Sequence, residues 1–252
     1  MSNLKDQDSD YETSNSSISQ SDDELGYNTN KVREIRIEPT QIEFPESYKM
    51  TLKSIPTNVC EPGPLGLFSL AIGCCVLIAA DFGWSNSGLL LRAPWLFWIP
   101  GIAQMIAGIF EVFRKNVFGS FAFVIYGALW CGIAWTYMHV LYAGVEDAHL
   151  ELHHLGVICI GYEIFSVILF IASLGLNTTF PIILGFIQVA LIALVSHIFW
   201  GTSGVPIAIG LLVVCVFSYY TGFAGFINTI AGGKVISTGG PLLDWKKYVK
   251  KN

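Results

Sequence analysis

A short segment rich in proline and glycine, Glu61-Pro62-Gly63-Pro64-Leu65-Gly66-Leu67, leads directly into a long apolar stretch. Proline lacks a backbone N–H and presets the first turn of a helix, and glycine lets another backbone or a ligand approach closely. The N–H groups at such a helix start attract anions, and irregular backbone in a membrane is tolerated where it lines a cavity. The segment therefore predicts an anion-handling pore lined by Pro62, Gly63, Pro64, Leu65 and Gly66. The alternative is that it only begins a helix.

Several polar or aromatic side chains fall inside other apolar stretches, where a membrane makes them costly. They are Gln104, Glu111, Tyr126, Trp130, Glu163 and Asn228. Gln104 and Glu111 are seven residues apart, which puts them on nearly the same face of a helix. Tyr126 and Trp130 are four residues apart. Neutral donors such as the Gln104 amide and the Tyr126 hydroxyl would replace the water that a small anion loses, and would still release the anion.

These residues also have purely structural explanations. Glu111 lies one turn from Arg114 and Lys115, so it could form an interfacial ion pair instead of lining a pathway. Tyr126 could be a packed aromatic. Glu163 is harder to explain in this way, because a buried carboxyl must be protonated, paired or in contact with water. Glu163 and Glu111 are the predicted proton carriers, if protons move with the solute.

The composition indicates a membrane protein. The chain is 53% hydrophobic and 13% charged, whereas a soluble domain has about 25% charged residues. Six spans are predicted at residues 64–82, 94–113, 117–142, 155–174, 180–200 and 205–230, each long enough to cross a hydrocarbon core of about 30 Å. Residues 145–154 are predicted as a loop. The predicted fold class is an all-α membrane protein with six transmembrane helices per subunit.

Lysine and arginine are concentrated on one side of this topology: before the first span, between the second and third spans, and after the last. Loops rich in these residues stay in the cytoplasm, so both termini are predicted to be cytoplasmic. Residues 1–55 are predicted as a disordered, acidic and serine-rich tail, residues 56–235 as the transport domain, and residues 236–252 as a short basic tail. The long acidic tail favours the plasma membrane.

Other functional classes have little support in the sequence. The six cysteines lie in or beside apolar runs and lack the spacing of a zinc or redox site, so no metal and no cofactor are predicted. No nucleophile–base pair is visible, so no enzyme is predicted. There is no basic face for nucleic acid. The predicted partners are an anion and membrane lipid.

Two separated motifs carry a more specific signal. Residues 62–67 read Pro-Gly-Pro-Leu-Gly-Leu. Residues 101–111 read Gly-x-x-Gln-x-x-x-Gly-x-x-Glu, and Asn116, Phe118-Gly119, Tyr126-Gly127 and Trp130 follow them. The first motif resembles the Asn-Pro-Ala-Pro-Leu-Gly-Leu signature of the acetate uptake transporters, a family that includes bacterial succinate–acetate permeases and fungal acetate and ammonia-export proteins. The second is similar to that family's next motif, so the resemblance covers about residues 60–230.

The resemblance implies a six-helix subunit, a homo-hexameric ring and an anion path through each subunit. In the family the path narrows at phenylalanine, tyrosine and leucine side chains. Tyr126 matches the tyrosine, and the other two positions fall on Leu70 and Ile187, which keeps the constriction apolar. The leading asparagine of the signature is replaced by Glu61. A carboxylate at this mouth would repel an anion unless it were protonated or turned away.

The residues and the resemblance together predict a membrane transporter or channel for small monocarboxylates such as acetate. Succinate as a further substrate, and proton coupling, remain open. The alternatives are a channel for ammonia or another neutral solute, and a six-span membrane sensor that transports nothing. Membrane voltage distinguishes an anion channel from a channel for neutral solutes, because the flux of an anion responds to voltage and the flux of a neutral solute does not.

Overall fold

The computed structural model describes residues 59–84, 89–143 and 145–248, and the tail predicted at residues 1–55 lies outside them. The secondary structure of these described residues is helical, without strands. The helices are α1 (Gly63–Asp81), α2 (Leu89–Leu96), α3 (Gln104–Phe113), α4 (Val117–Ala143), α5 (Val145–Ser173), α6 (Thr179–Trp200) and α7 (Val205–Ala231). A π-helical segment, Phe97–Ala103, joins α2 to α3, and a 3₁₀ turn covers Trp245–Tyr248.

Six helical segments of the described chain are long and apolar enough to cross a membrane. Five of them are single helices, α1, α4, α5, α6 and α7. The remaining span, Leu91–Phe113, combines α2, the π-helical segment and α3. The predicted all-α fold with six spans is therefore confirmed. The spans follow the sequence closely because each needs about 20 apolar residues to cross the hydrocarbon layer.

Two predicted boundaries are wrong. The second span was expected to begin at Pro94, but α2 begins at Leu89 and contains that proline. A second proline, Pro100, lies in the π-helical segment, a form of helix that accommodates a local break in the hydrogen-bond ladder. The loop expected at residues 145–154 is the first part of α5. That stretch is polar but free of glycine and proline, so the helix continues where the apolar pattern stops.

The six spans close into a ring. Each span packs against the next one in the chain, and α7 packs along α1. In this contact the Cys215 thiol donates to the Ala71 carbonyl at 3.5 Å, and a Cβ added to Gly222 would be 3.3 Å from the Cβ of Leu67. The inner faces of α1, α4, α6 and α7 therefore surround a common interior.

Residues 232–248, here called the C-terminal strap, fold back over the helix ends. The Oδ1 of Asn228 accepts hydrogen bonds from the amides of residues 235–236 at 2.7 and 2.8 Å. Further along, the Leu174 carbonyl accepts from the amides of residues 242–243, both at 2.8 Å. The strap thus runs from the end of α7 to the α5–α6 turn. The composition of this segment predicted only a basic tail.

Substitution of Gly66 by alanine should destabilise the packing of α1 against α4. A Cβ at this position would lie 2.7 Å from the ring of Phe123, so the ring or the helix must move. Overpacking of this kind costs about 1–3 kcal/mol. We expect a lower midpoint of thermal unfolding for Gly66→Ala, measured on purified protein in detergent.

Gly132→Ala is the matched control. A Cβ at Gly132 meets nothing within 4 Å, and alanine favours a helix over glycine by about 1 kcal/mol. The midpoint of this variant should equal or exceed that of the wild type. A Gly66→Ala protein as stable as the control would contradict the close contact between Gly66 and the ring of Phe123 on α4.

Candidate functional site

A cavity of about 440 Å³ lies where α1 begins and α3 and α7 end. We call it the vestibule. Its polar wall residues are Glu61, Glu111, Asn116, Asn177, Thr221, Asn228 and Thr238, and α1 contributes Gly63, Pro64 and Leu67. Thr238 belongs to the C-terminal strap, so the strap forms part of this wall. All three asparagine oxygens accept backbone N–H groups of the protein. This orients the side-chain amides, whose N–H groups are donors.

A second, smaller cavity of about 60 Å³ lies deeper among the spans. We call it the apolar cavity. Its wall is formed by α1, α4, α6 and α7 and includes Leu70, Cys74, Tyr126, Trp130, Ile187 and Val214. It has room for only a few water-sized groups. The three residues that the resemblance assigns to a constriction, Leu70, Tyr126 and Ile187, are all in this wall.

The two cavities follow each other along the same helix faces. On α1, Gly63 and Leu67 line the vestibule and Leu70 lines the apolar cavity, at spacings of four and three residues. On α4, Phe123 lines the vestibule and Tyr126 the apolar cavity. Residues three or four apart share a helix face. About one helical turn, roughly 5 Å of rise, therefore separates the cavities on these helices.

Glu61, the residue that departs from the family signature, is held by two partners at the mouth of the vestibule. Its Oε1 is 3.7 Å from Nη1 of Arg114, and the hydroxyl of Thr229 donates to its Oε2 at 3.0 Å. Arg114 thus pairs with Glu61. The sequence had allowed an ion pair between Glu111 and Arg114 or Lys115 as one explanation of Glu111. The negative charge of Glu61 is turned toward a cation, which reduces its repulsion of an entering anion.

Glu111 is a buried carboxylate in the vestibule wall, with 2% of its surface exposed. The Asn116 side-chain amide donates to its Oε2 at 2.9 Å, and Asn116 is itself oriented by the amide of Gly119, which donates to Oδ1 at 3.1 Å. The Oε1 of Glu111 lies 3.4 Å from the position of a Cβ on Gly63. The start of α1 therefore faces a carboxylate of the protein itself, an arrangement that the helix dipole favours.

The start of α1 offers fewer backbone donors than the motif suggested. Pro62 and Pro64 have no N–H, and the amide of Gly66 donates to the Pro62 carbonyl at 3.1 Å. The N–H groups of Gly63 and Leu65 remain. The side chain of Leu65 is 46% exposed and lines neither cavity. Donors for an anion must therefore come largely from side chains.

Tyr126 shares its hydroxyl with a residue that the sequence did not single out. Its oxygen is 2.6 Å from Oγ of Ser166 on α5, and both side chains are buried. Either hydroxyl can donate in this bond. Tyr126 can donate to a carboxylate only when Ser166 supplies the proton to the phenol oxygen.

The structure does not bring all predicted residues to the two cavities. Gln104 is completely buried, lines neither cavity, and has no hydrogen-bond partner for either amide atom among the described residues. Glu163 and Pro62 also lie outside both walls. The described part of the chain has no group of three or more His, Cys, Asp or Glu residues that could hold a metal ion.

Some site residues were missed because their roles depend on distant contacts. Asn177 lies in a break between two spans, and Thr238 lies in the predicted C-terminal tail. The pattern of apolar residues therefore did not indicate that either one lines a cavity. Asn116 was present in the second motif, but its contact with Glu111 follows only from the turn between α3 and α4. Ser166 is a serine within a span, and such residues usually bond to their own helix.

The comparisons with known proteins agree with this architecture. The model of the GPR1/FUN34/yaaH family matches residues 45–233. Acetate permease A of Emericella nidulans is 26% identical over 182 residues, which are 68% of this chain and 60% of the permease. Ammonia transport outward protein 2 of Saccharomyces cerevisiae is 26% identical over 174 residues, 65% of this chain and 60% of that protein. The chain thus spans less than two thirds of these relatives.

A solved structure has the same fold. The bacterial acetate channel SatP superimposes with a TM-score of 0.64 at 22% sequence identity. The superposition covers 72% of this chain and all of the channel. At this level of identity the likeness establishes the arrangement of the helices.

Asn228→Ala should release the first anchor of the C-terminal strap. The variant loses the two hydrogen bonds from residues 235–236 and the bond from Nδ2 to the Ile236 carbonyl. Each lost bond should raise the open population of the strap about fivefold. Hydrogen–deuterium exchange of these amides should accelerate accordingly.

Asn228→Asp is the matched control, because it keeps an acceptor oxygen for both amides and removes only the donor. The amides of residues 235–236 should exchange in Asn228→Asp at a rate closer to that of the wild type than to that of Asn228→Ala. Equal exchange in Asn228→Ala and the wild type would contradict the docking of the strap.

Proposed function

The chain belongs to the GPR1/FUN34/yaaH family, and on that basis we propose that it carries small carboxylates such as acetate across a membrane. The observation that carries the proposal is the succession of a polar vestibule and a small apolar cavity along the same helix faces. A short-chain acid has a polar head and an apolar tail, and these two environments match its two ends.

The vestibule supports the proposal through neutral donors. The amide of Asn177 and the hydroxyl of Thr238 line it, and no lysine or arginine is among the described residues that line either cavity. Leaving water costs a carboxylate much free energy, which donors in the wall must replace. Neutral donors do this without binding the anion so firmly that it cannot leave.

The apolar cavity supports selection by size. Its wall contains Leu70 and Ile187, which accept a methyl group but give a second carboxylate no partner. Acetate is therefore the preferred substrate, and succinate is carried less well. The proposal includes both termini in the cytoplasm, a location in the plasma membrane and a homo-hexameric assembly, and assigns no catalytic reaction to the chain.

Proton coupling is assigned to Glu111. It lines the vestibule, whereas Glu163, the other sequence candidate, lines neither cavity. When Glu111 takes up a proton, its negative charge disappears from the start of α1. The Gly63 amide is then free to meet an incoming carboxylate.

The basic test is uptake of labelled acetate by purified protein in lipid vesicles, with pH and membrane voltage varied independently. Transport of the anion alone predicts uptake that responds to voltage, whereas one proton carried with each anion predicts acetate uptake that is driven by a pH gradient and does not respond to voltage. Uptake of ammonia that ignores voltage would favour a second function, for which the similarity to an ammonia transport outward protein gives a specific reason. Absence of any flux would leave the sensor alternative.

Tyr126→Ala should widen the apolar cavity and weaken selection by size. We expect the ratio of succinate to acetate uptake to rise about tenfold, the scale on which a pocket discriminates by a few heavy atoms. Tyr126→Phe, which keeps the ring but loses the bond to Ser166, should keep the ratio low. Tyr142→Ala on the same helix is the control, because its side chain is 78% exposed and lines neither cavity. An unchanged ratio in Tyr126→Ala would oppose the assignment.

Glu111→Gln should make acetate uptake independent of pH, because the neutral amide imitates the protonated carboxyl. Uptake by the wild type should rise as the pH falls, and uptake by the variant should stay near the low-pH level of the wild type. Glu163→Gln is the control and should keep the pH dependence. Vesicles without protein correct for undissociated acid that crosses the lipid. If Glu163→Gln, and not Glu111→Gln, flattens the profile, the proton carrier is Glu163.

A further inference from the structure

Ser218 on α7 is in neither cavity wall, and its place in the helix puts it at a level between the two cavities. It is four residues after Val214, which lines the apolar cavity, and three before Thr221, which lines the vestibule. This spacing places all three on one face of the helix. The contacts of residues on either side of Ser218 show which turn of α1 lies beside it. Cys215 bonds to the Ala71 carbonyl, and Gly222 packs against Leu67.

That level is the turn of α1 at which the lining changes from the vestibule to the apolar cavity. Leu67 belongs to the first wall and Leu70 to the second. A solute that passes from one cavity to the other must cross this turn. Ser218 is thus a polar side chain in the barrier between the cavities.

The hydroxyl of Ser218 is completely buried and has no hydrogen-bond partner among the described residues. Serine and threonine in helices usually donate to a carbonyl of the preceding turn. Thr221 does so, to Phe217 at 2.7 Å, and Ser173 on α5 donates to Phe170 at 2.6 Å. A buried hydroxyl without a partner destabilises a fold. A serine at this position needs a reason other than stability.

We propose that Ser218 is a substrate-contacting residue whose hydroxyl donates a hydrogen bond to the carboxylate as the acid crosses between the cavities. The inference rests on the proposed function and adds a specific donor to it. Tyr126, the donor expected at this depth, shares its hydroxyl with Ser166. Ser218 has no such competitor, so its hydroxyl is available to the solute. The contact is neutral and single, which allows the acid to be released.

The test compares two buried serines. Ser218→Ala removes an unpaired hydroxyl, and Ser173→Ala removes one that is bonded within its own helix and lines neither cavity. Both variants are assayed for thermal unfolding in lipid nanodiscs without acetate, and for the KM of acetate uptake in vesicles. Ser218→Ala should unfold at or above the temperature of the wild type, and its KM for acetate should rise about tenfold. Ser173→Ala should show the opposite: lower stability and an unchanged KM.

Ser218→Thr provides a rescue, because it keeps a hydroxyl at the same position. Its KM should lie closer to that of the wild type than to that of Ser218→Ala. Since stability and KM should move independently, a merely structural role cannot produce this pattern.

Three results would overturn the inference. An unchanged KM in Ser218→Ala would show that the hydroxyl does not meet the substrate. A loss of stability like that of Ser173→Ala, again with an unchanged KM, would show that the hydroxyl is used by the fold. If the wild type takes up no carboxylate, the proposed function fails and the inference fails with it. In the first two cases the proposed function survives.

Discussion

The packing of α1 along α7 determines the interior of this protein. These helices begin and end the membrane domain, and they are joined at three levels. Thr229 bonds to Glu61 at the mouth, Gly222 meets Leu67 one to two turns deeper, and the thiol of Cys215 reaches the Ala71 carbonyl beyond that. Because the last span returns to the first, the other spans complete a ring. Both cavities lie on the inner faces that this closure creates.

Two carboxylates are accommodated near the proposed anion path by partners within the protein. A membrane interior supplies no water, so a charged group must find partners in the protein. Glu61 finds Arg114 and Thr229, and Glu111 finds Asn116. Both arrangements use residues of short turns at the ends of the spans. The vestibule can therefore contain acidic residues and still offer amide and hydroxyl donors to a solute.

The sequence predicted the number and type of spans because a hydrocarbon layer demands long apolar helices. The continuation of α5 through residues 145–154 escaped prediction, because hydropathy reports where the membrane ends and not where the helix ends. The site was predicted in part. Tyr126 and Glu111 line the cavities, whereas Gln104 does not. Helical spacing gives the face of a residue relative to its own helix, but the direction of that face depends on packing against other helices.

Residues whose roles arise from long-range contacts had no signal at all. Ser166 meets Tyr126 across 40 positions of sequence, and the strap docks on Leu174 from about 70 positions away. Spacing within one segment cannot reveal such pairs. The family resemblance supplied Leu70 and Ile187 instead, and both lie in the apolar wall.

The seam between the first and last helices also has a consequence for biosynthesis. Synthesis delivers α1 to the bilayer before α7, so the face of α1 that packs against α7 stays uncovered until the sixth span has been made. A chain that ends before α7 lacks one wall of both cavities, because α7 contributes residues to each of them.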